Sequence, residues 1–225
     1  MPNALITGGE KGIGLSTVEI LQQKGWNATS IRRGQMDVSD LGSVALWTDK
    51  LILDGYVPDA IVLCAGRWDS SSEHSLEQYA YHYRMLAGHW MLMSRFLAQL
   101  SIRGGCVIAV ASTRAFIGGV DTGPYSVAKA ALVAMMQGYA REYGKGIRFN
   151  VVAPGLTRTS LGEQVVATGG AKEGAPMLEP IDVAQVIVDL IEDKEANGKV
   201  VRIVADKDNP PDISEATWQF VKREQ

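Results

Sequence analysis

At 225 residues, 46% hydrophobic and 21% charged, the chain carries enough apolar side chain to build one globular domain around its own core. Its formal net charge is −3 and its basic residues are scattered, which argues against a nucleic-acid binder and for a small-molecule partner. No apolar run reaches the roughly 18 to 20 residues that span a bilayer, so no membrane partner is expected.

Met1-Pro2-Asn3 leads directly into a strand pattern at 3–6 rather than into a signal peptide. Immediately after it comes Thr7-Gly8-Gly9-Glu10-Lys11-Gly12-Ile13-Gly14, opening a helix over 13–24 with Val18, Ile20 and Leu21 on its apolar face. Glycines let the backbone turn sharply and approach a pyrophosphate, and the helix start offers free N–H groups and a positive dipole end. A second strand at 27–31 ends on Arg32 and Arg33. Only residues 32–36 separate it from Asp37 and Val38, whereas a parallel crossover takes about a dozen residues or more. The second crossover helix is therefore expected to be absent.

Further along, helices are predicted at 40–53, 75–100, 125–143 and 181–194, and strands at 59–64, 105–111, 147–152 and 199–205. Runs such as Ala60-Ile61-Val62-Leu63-Cys64 and Val107-Ile108-Ala109-Val110 suit parallel strands covered on both faces. The alternation predicts a doubly wound α/β fold with a parallel sheet of six to seven strands, over one domain at 1–205. Residues 160–177 read as a mobile loop and lid, and 206–225 as a separate tail in which Ile213, Thr217, Phe220 and Val221 share one helical face. Cys64 and Cys106 lie in apolar strands without metal-ligand spacing, so buried reduced thiols, no metal and a cytoplasmic setting are expected.

Five segments in order resemble the short-chain dehydrogenase/reductase family, over about residues 3 to 205. The first loop is similar to the family's TGxxxGxG, and Cys64-Ala65-Gly66 to its NAG, with Cys in place of Asn. Ser112, then Tyr125 and Lys129 in YxxxK spacing, then Asn150-Val151-Val152-Ala153-Pro154-Gly155 complete the set. The resemblance implies a Rossmann-like fold and an NADP(H)-dependent enzyme moving a hydride between the nicotinamide and a small carbonyl or alcohol. Tyr125 would be the proton donor, Ser112 its partner on the substrate oxygen, and Lys129 the group that lowers the phenol pKa and holds the ribose. Tyr125 and Lys129 stand at i and i+4, on one face of a helix.

On the same resemblance, Thr7, Gly8, Gly9, Lys11, Gly12, Ile13, Gly14, Ala65 and Gly66 would line the cofactor, with Asp37 and Val38 at the adenine. Asn150, Pro154, Gly155, Thr157 and Thr159 would lie at the nicotinamide end. Arg32, Arg33 and Lys11 replace the acid that would repel a 2′-phosphate, which favours NADP(H). Arg67, Trp68, Arg114 and Phe116 follow strand ends and are placed to enter the substrate pocket, where the arginines suit a carboxylate or phosphate.

One position departs from the pattern: Met85 stands three residues before Gly88, where the family has an asparagine that holds a relay water. This leaves open a relay through another group, slower turnover, or a catalytically weak NADP(H)-binding regulator or redox sensor; an epimerase or dehydratase is a further alternative. Nearby His82 and His89 read as surface or packing residues. The all-round apolar stretch from Ala128 to Met136, broken only by Lys129, implies burial on every side and a homodimer or homotetramer.

Overall fold

A computed structural model gives the fold for residues 1–68, 75–116, 123–144, 146–207 and 209–216. Its strands are β1 (Asn3–Thr7), β2 (Asn27–Ile31), β3 (Ala60–Leu63), β4 (Cys106–Val110), β5 (Arg148–Pro154), β6 (Val200–Val204) and β7 (Asp212–Glu215). They form one sheet in the order β2-β1-β3-β4-β5-β6-β7, parallel except for the antiparallel β7. The helices are α1 (Gly12–Gln23), α2 (Leu41–Leu53), α3 (Leu76–Ser94), α4 (Leu97–Arg103), α5 (Gly123–Tyr143), α6 (Ser160–Ala167) and α7 (Pro180–Glu192).

Alternation along the central strands supplies two cores. In β4, Val107 and Ala109 face the cluster under α3 and α5, whereas Cys106, Ile108 and Val110 face the cluster under α1 and α7. Both faces of the sheet are thereby covered, and the strand carboxyl ends are left as the place where loops converge on a ligand.

No helix lies between Ile31 and Asp37. The chain instead turns tightly, with the Gln35 and Met36 N–H groups donating to the Arg32 carbonyl at 2.9 and 3.0 Å, and buries Met36 before entering α2. The 32–36 stretch is thus too short for a helix, as expected, and β2 is the edge strand of the sheet.

Three expectations are corrected. The single helix over 75–100 is two helices, because Phe96 leaves helical dihedrals (φ −113°, ψ 5°) as its ring goes fully into the core. The 160–177 segment contains α6, whose first turn is capped by the Thr159 hydroxyl accepting from the Gly162 N–H at 3.1 Å. Ile213 lies in β7, paired with Ile203, and not on a helix; Thr217, Phe220 and Val221 fall outside the described residues. Among the described residues no helix is long and apolar enough to cross a membrane.

Candidate active site

At the carboxyl ends of β1 to β5 two cavities meet. The first, about 230 Å³, is lined by the β1–α1 loop, the turn after β2 and Ala65-Gly66-Arg67. The second, about 410 Å³, is lined by Ser112, Tyr125 and Lys129 together with Pro154, Gly155, Thr157 and the inner face of α6. Ile13, Cys64, Gly66, Thr159 and Leu161 line both, so the two form one cleft.

In the loop, Gly8 and Gly12 take left-handed backbone (φ 68° and 53°), which brings Gly12, Ile13 and Gly14 to the start of α1 with no side-chain cap on their N–H groups. α2, α3 and α6 are capped by Asp40, Ser75 and Thr159. The uncapped helix start faces the cavity and fits an anion such as a pyrophosphate. Thr7 lies beneath the loop and not in the cavity wall. Its hydroxyl accepts the Cys64 and Ala65 N–H groups, both at 3.0 Å, and so ties the end of β1 to the end of β3.

Gly9 likewise packs against Ser30 and Val18, where a Cβ would come within 2.7 Å of the Ser30 hydroxyl. Lys11, Arg33, Asp37 and Val38 line the first cavity, and Arg33 Nε donates to Asp37 Oδ2 at 3.2 Å. Arg32 is exposed and is not among the lining residues. Burial works against ionisation of the Asp37 carboxyl, but hydrogen bonds from Ser39 and Arg33 hold it below its ordinary value.

The second cavity brings together Ser112, Tyr125 and Lys129. Ser112, two residues past β4, caps the short 3-10 turn at 113–115, accepting the Arg114 N–H at 3.2 Å, and its hydroxyl also hydrogen-bonds the Tyr125 phenol. Tyr125 is clamped edge-on by Trp68 at 5.1 Å and His82 at 5.9 Å between ring centroids. Lys129 Nζ donates to the Val110 carbonyl at 2.7 Å and lies 5.8 Å from the centre of the phenol ring.

The sequence pairing predicts a lowered phenol pKa. The structure gives the opposite direction: burial raises it, and Ser112 and Arg114 only partly offset that. Burial also depresses the Lys129 ammonium to about 8 and pushes the Cys64 thiol up to about 11. Both follow from removing a charged form from water.

Several other residues fall elsewhere than expected. Asn150 is fully buried away from the cleft, donating to the Ala196 carbonyl at 2.7 Å and accepting the Lys199 N–H at 3.0 Å, so it fastens β5 to the approach of β6. Phe116 packs on the α3/α5 core rather than in the cavity wall. Arg67 lines the first cavity with its guanidinium 4.7 Å over the Tyr81 ring, while Trp68 and Arg114 line the second.

His82 and His89 are buried, on the α3 face that also carries Met85, and with Tyr125 and Lys129 they line a small space of about 20 Å³. Burial, reinforced by Lys129, lowers His89 to about 3, so its ring is neutral. Gly88, one turn below Met85, lets α3 touch the turn after β2: a Cβ there would sit 1.8 Å from the Val38 carbonyl. Sequence reasoning missed Tyr81 and Leu161. The i, i+4 spacing of Tyr81 to Met85 was the available signal for the first, and none existed for the second.

A family model described as Enoyl-(Acyl carrier protein) reductase matches residues 10–206. The chain belongs to the short-chain dehydrogenase/reductase family. It is 28% identical over 190 residues to 2,3-dihydro-2,3-dihydroxybenzoate dehydrogenase of Escherichia coli K12, covering 76% of this chain and 75% of that protein. It is 27% identical over 245 residues to human 3-hydroxyacyl-CoA dehydrogenase type-2, covering 89% and 92%. Among solved structures, one described as a ribose-5-phosphate isomerase from Brucella melitensis superposes with a TM-score of 0.82 at 23% identity, covering 91% of each chain. That likeness concerns the fold alone. Family membership makes the chain a nicotinamide-dependent oxidoreductase acting on hydroxyl or carbonyl groups.

Proposed function

We propose that this short-chain dehydrogenase/reductase uses NADP(H) and interconverts a carbonyl and an alcohol on a small substrate. The observation that carries this reading is the meeting of Ser112, Tyr125 and Lys129 on one wall of a cavity continuous with the uncapped start of α1. The loop from Gly8 to Gly14 would seat the pyrophosphate, Asp37, Val38, Ala65 and Gly66 the adenosine half, and Pro154, Gly155, Thr157 and Thr159 the nicotinamide half. Arg33, with Lys11, favours a 2′-phosphate. When bound, the cofactor supplies or takes up the hydride.

The protein's own groups then manage the proton and the geometry. Tyr125, a phenol at neutral pH whose burial raises its pKa further, donates to the carbonyl oxygen in the reductive direction. Ser112 donates to the same oxygen and fixes its position. The Lys129 ammonium, anchored on Val110, has two further N–H groups for the ribose hydroxyls. Leu161 and Val165 of α6, with Trp68, shield the reacting atoms from water. The chain assembles as a homodimer or homotetramer through the outer faces of α3 and α5.

The test is NADPH consumption, followed by the absorbance of the dihydronicotinamide, against ketones, aldehydes, quinones and ketoacyl thioesters. Turnover of at least one class is expected. Tight NADPH binding with no turnover on any of them would replace the enzyme by a cofactor-binding protein.

A further inference from the structure

The wall of the substrate cavity is uneven in charge. Its apolar part is Trp68, Leu156, Leu161, Val165 and Ala171, and the only ionic side chains lining it among the described residues are Lys129 and Arg114. No Asp or Glu among those residues lines it. Lys129 is buried and engaged with Val110, whereas Arg114 is half-buried.

Arg114 is held in place from two sides. Its backbone N–H is fixed by Ser112, and one guanidinium nitrogen donates to the Gly170 carbonyl in the segment after α6. Trp68 is fixed to the same segment, its indole N–H donating to the Thr168 hydroxyl at 3.0 Å. A guanidinium has five N–H donors, so the Gly170 contact orients the fork and leaves most of it for another acceptor. Arg114 and Tyr125 line the same cavity, and the guanidinium acts electrostatically on the phenol.

We infer that Arg114 reads a carboxylate, and that the substrate is a compact carbonyl or alcohol compound whose apolar body lies on Trp68 and whose acidic group lies on Arg114. Two cations facing a cavity with no acid among its described residues select an anion, and a planar fork matches a planar carboxylate with two parallel hydrogen bonds. This rests on the reductase reading for its chemistry. The recognition itself is separable, because binding is measured without turnover.

The experiment compares a set of aromatic and aliphatic keto acids with their methyl esters and with phosphate-bearing ketones, on the NADPH-saturated protein, for wild type, R114Q and R114K. Binding is read by tryptophan fluorescence and turnover by NADPH consumption. Wild type is expected to bind at least one keto acid about 10- to 100-fold more tightly than its ester, the usual worth of a charge-assisted pair. R114Q is expected to bring that ratio close to one, and R114K to restore part of it. Acid preference that depends on Arg114 without turnover would keep the recognition and remove the reductase reading. Equal binding of acid and ester in wild type, no binding of either, an unchanged ratio in R114Q, or preference for the phosphate compounds would overturn the inference.

Discussion

Arg33 and Asp37 form an ion pair, 3.2 Å from Nε to Oδ2, across the turn that joins β2 to α2. The pair shapes the mouth of the first cavity, and a 2′-phosphate arriving there would compete with Asp37 for the same guanidinium. Arg33, which lines the first cavity, and not Arg32, which does not, is therefore the residue expected to discriminate between the cofactors. Arg33→Ala should weaken NADPH binding about 10- to 100-fold and leave NADH binding within about threefold, whereas Arg32→Ala should move both by less than about threefold. Fluorescence titration decides it: equal losses for the two cofactors would remove Arg33 from that role.

Tyr125→Phe keeps the ring that Trp68 and His82 clamp and removes only the hydroxyl. The fold and the NADPH affinity should be preserved, and turnover should fall by about 10² to 10⁴, the usual contribution of a positioned general acid. A Phe variant keeping more than about a third of the wild-type kcat would show that the proton comes from elsewhere.

Lys129 couples stability and activity with opposite signs. Its folded pKa, about 8 against an ordinary 10.5, means that between these values the unfolded chain keeps a proton the folded chain has released. Its contribution to stability is therefore least favourable below about pH 8 and improves as the pH rises toward 10.5. Lys129→Met should abolish turnover yet raise the melting temperature at pH 7 by roughly 2 to 8 °C, with a smaller gain at higher pH. In the wild type, reductive turnover should decline through about pH 8 as the ammonium is lost. A lowered melting temperature at pH 7 would contradict the cost assigned to this buried charge.

Gly88→Ala should destabilise the protein by about 1 to 3 kcal/mol or more, because the new methyl meets a backbone carbonyl, which cannot rotate away as a side chain could. The strain falls on Val38, in the wall of the first cavity, so NADPH affinity should drop as well. Urea unfolding and cofactor titration read the two effects. An unchanged urea midpoint would mean that α3 and the turn separate without cost.

Assembly is expected through α3 and α5, where Tyr83, Trp90 and Val127 are 61%, 47% and 47% exposed. Light scattering should give at least twice the 24.3 kDa of one chain at micromolar concentration, and Val127→Glu should lower that value. A wild-type mass that stays at 24.3 kDa would refute the proposed contact.

Much of the fold was legible because the strands are continuous apolar runs and the crossovers long enough to read. Even the absence of a helix between Ile31 and Asp37 followed from the few residues there. Less legible was anything decided by tertiary packing. Phe96 breaks a helix pattern that runs on in sequence, and α6 arises in a Gly- and Ala-rich stretch because Thr159 caps it. The trio of Ser112, Tyr125 and Lys129 was named from the family resemblance, but the direction of the Tyr125 shift could not be, since burial of a phenol is a property of the assembled cleft. Asn150 was misplaced for a related reason: its neighbours Pro154 and Gly155 lie at the strand's open end, while it sits one strand length lower, among carbonyls.

β7 also bears on how the molecule avoids sticking to copies of itself. A sheet's outermost strands present unpaired backbone groups that can template the addition of a foreign strand. β6 would otherwise be such a margin, but Asp212–Glu215 covers it with a four-residue strand whose two ends are carboxylates. At the opposite margin β2 has no outer neighbour, yet it is only five residues long and offers Asn27, Thr29 and Ser30 rather than a flat apolar ribbon. Shortness and polarity thus do for one margin what a charged cover strand does for the other, and the sheet carries no added tendency to aggregate through its edges.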